Sequence, residues 1–102
     1  MEKRLQLQSE LEEILGTDNV YFQPPENVKL TYPCIIYAKA APRLQHADDH
    51  VYRYTQRYDV TVIYDDPDME LSKNLVLHFT KCSLDRSYTS DNLYHDAITL
   101  YF

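Results

Sequence analysis

The sequence predicts an α+β fold: a mainly antiparallel β-sheet with two α-helices packed on one face. Two observations carry this. From Val51 to Asp65 the residues alternate strictly, with Tyr52, Tyr54, Gln56, Tyr58, Val60, Val62 and Tyr64 on one side. Arg53, Thr55, Arg57, Asp59, Thr61 and Ile63 fall on the other. Such alternation belongs to a strand with one covered face and one polar face. Two further segments carry apolar residues at helical spacing instead, so helices and strands share one chain.

In chain order, Glu2 to Leu15 is predicted helical. Leu7, Leu11, Ile14 and Leu15 share a face, charged residues fill most of the rest, and Gly16 is placed to end the helix. Val20 to Phe22 reads as a short strand stopped by Pro24 and Pro25. Thr31 to Ala40 reads as a second strand with Pro33 near its start. The polar, aperiodic stretch that follows, Ala41 to His50, reads as a connecting loop. After the long strand, Asp66 is placed to cap a second helix. Pro67 suits its first position, Asp68 and Glu70 suit its dipole, and Leu71, Leu75, Val76 and Phe79 form its apolar stripe. Cys82 to Tyr88 and Tyr94 to Phe102 read as closing strands around a Ser-Asp-Asn turn.

The 102 residues suit one domain spanning 1–102. A chain of this size buries roughly 65% of its unfolded surface, which supports one modest core. Net charge is -6, with 16 acidic residues against 10 Lys and Arg, which argues against a protein built mainly to grip phosphates. No apolar run reaches the length of a membrane span, and the charged start is unlike a signal peptide, so a soluble chain in a reducing compartment is expected. Cys34 and Cys82 then read as two buried thiols rather than a disulfide. Gly occurs once and Tyr ten times. One glycine leaves no phosphate-cradling loop, dinucleotide fingerprint or nucleophile elbow. Tyrosine in excess suits surfaces that a partner covers.

The stretch H-A-D-D-H, His46 to His50, places two imidazoles around two carboxylates. It lacks the Glu of the H-E-x-x-H zinc motif, and no third ligand stands nearby in sequence, so a solvated loop is the favoured reading. Asp65, Asp66 and Asp68 resemble a cation-binding cluster but are explained by a helix start. Arg53 and Arg57, interleaved with tyrosines, suggest single-stranded nucleic acid. Tyrosines and arginines fall on opposite strand faces, however, so stacking and charge do not converge, and a protein partner is the better reading. No nucleophile–base pattern and no DNA-reading helix with a basic face emerges. The residues alone describe a small acidic α+β interaction module with no catalytic residues, no cofactor and no metal.

Four stretches carry a resemblance: V-Y-F-Q-P-P (20–25), T-Y-P-C-I-I-Y (31–37), R-Y-D-V-T-V-I-Y (57–64) and C-S-L-D-R-S-Y-T-S-D-N-L-Y-H-D-A-I-T-L-Y-F (82–102). Together they make the chain resemble the tail-completion or tail-terminator proteins of long-tailed phages and prophages, over nearly its whole length. The resemblance implies a non-enzymatic structural subunit that closes into a ring, hexameric by expectation, at the head-proximal end of the tail. The ring ends tube growth and joins the tail to the head connector. Its implied partners are further copies of itself, the tail tube protein and the connector or stopper protein, with DNA only as cargo passing through the lumen. Its implied location is the virion neck, assembled in the bacterial cytoplasm. An acidic balance suits a lumen through which DNA slides. A connector stopper or adaptor, or a small host-directed regulator, are the alternatives. With this resemblance H-A-D-D-H becomes the tip of a long hairpin reaching a neighbour, and its histidines are candidates for a pH-sensitive contact. The interface residues expected are Arg43, His46, Asp48, Asp49, His50, Arg53 and Arg57 on the hairpin. Asp85 and Arg86 are expected on the following strand.

Overall fold

In a computed structural model, residues 3–25, 29–47 and 50–102 are described, with 42–47 and 50–55 described by their backbone alone. The elements run α1 (Lys3–Leu15), β1 (Val20–Phe22), β2 (Cys34–Ala47), β3 (His50–Tyr64), α2 (Leu71–His78), β4 (Cys82–Ser90) and β5 (Leu93–Tyr101). The five strands form one sheet in the order β1-β2-β3-β5-β4. Every pairing is antiparallel except that of β1 with β2. The expected fold class, α+β with two helices on one sheet face, is what the chain adopts.

Helix α1 buries Leu7, Leu11 and Leu15, one per turn. It stops at Gly16, whose φ of 85° closes the last turn as the Gly16 N–H bonds the Glu12 carbonyl at 2.8 Å. Helix α2 adds Leu71 and Leu75. Both pack on the sheet residues Ile35, Tyr37, Tyr58, Val60, Val62, Ile98 and Leu100. Each large apolar side chain fully buried there contributes about 1.5–3 kcal/mol of transfer free energy. On β3 the alternation holds. Tyr58, Val60 and Val62 are buried, Asp59 is exposed, and Arg57 and Thr61 are half-buried. Ile63 is the exception on the polar side: it is buried, with Cys34 and His95 as its register neighbours.

The structure corrects several boundaries. The stretch from Ala41 is not a loop: β2 continues through it to Ala47, and β3 begins at His50. Pairing partners from β3 satisfy its backbone there, which outweighs its polar composition. Asp66 does not cap α2. Its carboxylate accepts the Asp68 N–H at 3.0 Å in a separate turn, and the helix starts at Leu71 after Glu70, without a side-chain cap. Strand β2 starts at Cys34 rather than Thr31, after a cis Tyr32–Pro33 bond. Strand β4 extends past Tyr88 to Ser90, where Asp91 (φ 52°) and Asn92 (φ 64°) form a two-residue turn into β5. Two positive φ values in sequence match the primed turns that follow strand twist.

Candidate functional site: the open side of the sheet

The helices cover one face of the sheet, and register fixes what lies on the other. Cys34, Ile63, His95 and Tyr88 form one row across four strands, and Ile36, Thr61, Ala97 and Arg86 form the next. His95 stacks on Tyr88 with ring centroids 4.9 Å apart, and the Arg86 guanidinium sits 4.8 Å from the centre of the Tyr88 ring. The cation over the ring and the parallel imidazole fix Tyr88 from two sides. Asp85 and Arg86, both expected at an interface, are exposed on β4. A register shift between Leu84 and Arg86 leaves Asp85 as the extra residue of this strand, opposite no single register partner on β5. Asp85 accepts hydrogen bonds from the Thr99 and Ser83 hydroxyls.

Strand β4 lies at an edge of the sheet, and among the described residues its one strand neighbour is β5. All its residues from Ser83 to Ser90 are exposed, Leu84 by 50% and Tyr88 by 40%. On the other flank, β2 and β3 outrun the sheet. The β3–β5 register ends at Arg57 opposite Tyr101, and the last contact is the Phe102 N–H to the Gln56 carbonyl at 3.1 Å. Beyond that point, among the described residues, β3 pairs with β2 alone, to Ala47 opposite His50. This two-stranded arm projects about 20 Å at about 3.3 Å per residue. The β2–β3 register shifts twice along it, between Ala40 and Arg43 and between Gln45 and His46.

Of the hairpin residues, Arg43 stands opposite Thr55, His46 opposite Val51, and Arg53 opposite Gln45, all on the arm. Asp48 and Asp49 lie outside the described residues, so their expected contact role does too. Arg57 sits at the root of the arm and pairs with Asp59 at 3.1 Å, the two side chains 39% and 57% exposed. The arm thus gathers Arg43, His46, His50, Arg53 and Arg57, whereas Asp85 and Arg86 belong to the far edge of the sheet.

Other clusters bear on catalysis. Asp96, 5% exposed, accepts hydrogen bonds from Ser72 Oγ and from Tyr64 Oη at 2.9 Å. A serine on a carboxylate resembles part of a hydrolytic triad, but both groups are buried. His95 lies on the opposite sheet face, against Tyr88. Nothing in the sequence marks Asp96, because a carboxylate in a strand reads as exposed until the strand's facing is known. A shallow pocket of about 270 Å³ is lined by Lys81, Cys82, Ser83, Thr99 and Tyr101. Burial, with Asp85 adding to it, pushes the Cys82 thiol up to about 11, and burial alone pushes Cys34 up to about 11. A thiol so raised is a poor nucleophile at neutral pH. Both thiols are therefore expected to label slowly with a disulfide reagent at pH 8 in the native chain and fast after unfolding. Rapid native labelling would contradict this. Raised acids also stabilise the fold below their unfolded value of about 9, a contribution lost as pH climbs toward 11. Among the described residues no group of three or more His, Cys, Asp and Glu side chains could hold a metal ion, and no helix is long and apolar enough to cross a membrane.

No known protein-family model matches this chain, and no curated protein is similar enough to count as a relative.

Proposed function

We propose that the chain is a structural assembly protein of a long-tailed phage or prophage: a tail terminator. On this reading copies close into a ring on the last ring of the tail tube, stop its growth and present a surface to the head connector. The chain performs no catalysis and takes no cofactor. One observation supports it above the others: the sheet ends in an open edge strand on one flank and in a projecting arm on the other. A ring subunit needs two unlike surfaces of this kind, because each copy meets its two neighbours differently. The stretches that carry the resemblance fall on the same framework, in β1, β2, β3 and the β4–β5 hairpin.

The direct test is reconstitution. Purified chain added to polymerising tail tube protein should arrest elongation at substoichiometric amounts and be found at one tube end. Tubes that elongate unchanged would sink the proposal.

Arg57 provides a prediction of the opposite kind from a core substitution. Its pair with Asp59 is exposed and is worth at most about 1 kcal/mol. Arg57→Glu is expected to leave the melting temperature within a few degrees while impairing tail completion in a phage complementation assay. Normal complementation would remove Arg57 from the interface.

A further inference from the structure

The open edge of β4 and the projecting arm are two deficits of one sheet, and we infer that each satisfies the other between copies. The arm of one chain pairs along β4 of the next. This inference deepens the ring reading and rests on it.

Strand β4 is nine residues long and contains no proline; its register shifts between Leu84 and Arg86, and from Arg86 to Ser90 it leaves one row of N–H and C=O groups unpaired by any strand among the described residues. Soluble proteins guard such edges, because an open, extended strand templates pairing with another chain. Among the described residues no element covers this one: Leu84 and Tyr88 are exposed on β4, and its one strand neighbour is β5. The other edge of the sheet is guarded only at its root. Strand β1 covers Ile35 to Tyr37, and Gln23 extends that cover by its N–H to the Tyr37 carbonyl and its side-chain oxygen to the Lys39 N–H. From Ala40 to Ala47 the outer edge of β2 has no strand beside it among the described residues. Pro42 and the register shift beside it blunt the first part, which leaves Arg43 to Ala47, with the second shift between Gln45 and His46, as the pairing segment.

These two edges lie on opposite flanks of the same sheet. Joining them continues the sheet from one copy to the next without turning a copy over. The contact is therefore heterologous and repeats until it closes. Register shifts add twist and re-aim a strand, and the arm carries two of them. A second copy is the occupant these features favour. One chain supplies both a donor segment, Arg43–Ala47, and an acceptor edge, β4, so a closed ring pairs each β4 with one arm.

Complementation between two variants tests this. In the armless variant residues 41–56 are replaced by Asn-Gly, which closes the hairpin at the Ala40–Arg57 pair. In the edge variant, Leu84→Lys and Thr89→Lys place charges on β4, at positions that are already exposed. Circular dichroism and melting confirm that each folds, and sedimentation velocity reads the mass. The native chain is expected to associate into a closed oligomer as concentration rises, and each variant alone to lose that association. Their equimolar mixture is expected to form a one-to-one dimer and nothing larger, since only one arm and one edge remain. An armless chain that dimerises by itself shows β4 pairing with β4 and overturns the inference. Oligomers of native size from both variants overturn it while leaving ring formation intact. A native chain that stays monomeric at every concentration overturns it as well. The arrest of tube growth is read in a separate experiment, so failure of this contact and failure of the terminator reading are distinguishable.

Discussion

Tyr58→Ala is expected to cost about 3–5 kcal/mol of stability. Tyr58 is 3% exposed, lies between Lys39 and Leu100 in register, and meets the Tyr37 ring at 6.0 Å in a tilted contact. Its truncation opens a cavity in the one core cluster that holds the sheet residues together with Leu7, Leu11, Leu71 and Leu75 of the helices. A domain of this size has about 5–15 kcal/mol in total, so the loss is a large share. Urea denaturation should show a lower midpoint at unchanged slope. Val60→Ala, 1% exposed but smaller, is expected to cost about 2 kcal/mol. A change below about 1 kcal/mol for Tyr58→Ala would mean that the alternation of β3 does not place this ring in the core.

Asp96→Ala is expected to cost about 2–3 kcal/mol by a different route. The Asp96 carboxylate joins β5 to Ser72 on α2 and to Tyr64 at the end of β3. Burial, then the neighbouring Asp96, raises the Tyr64 phenol above its usual range, so its hydroxyl stays a donor well past neutral pH. That protonated donor contributes below the phenol's ordinary value and is lost as pH rises through the raised one. Removing the carboxylate strands the buried Ser72 hydroxyl, whereas half-buried Tyr64 can turn to water. Asp96→Ala with Ser72→Ala should therefore cost less than the sum of the single changes. Strict additivity in that cycle would show that the two groups do not act on each other.

The legible parts of this fold were those where one face is plainly apolar. Leu7, Leu11 and Leu15 identify α1, and the alternation of β3 identifies its covered face, because burial of a continuous stripe leaves a periodic trace. The arm left no such trace. Residues 41–47 carry Pro42, Arg43 and His46, and are strand because β3 supplies their hydrogen bonds, not because of propensity. Asp66 misled for a related reason. An aspartate before a proline serves a turn as well as a helix cap, and only the backbone decides between them. Of the candidate interface, Asp85 and Arg86 stand exposed on β4. What sequence could not reveal is that β4 lies at the edge, since strand order is a matter of topology and not of local pattern.

Tail length measures most directly whether the chain ends tail growth, as proposed. A phage or prophage lacking this gene, induced and viewed by electron microscopy, should yield filled heads alongside unattached tails of abnormal and variable length. Restoring the gene should return tails to one length. Tails of normal length that merely fail to join heads would contradict termination and assign the chain to the connector side of the joint.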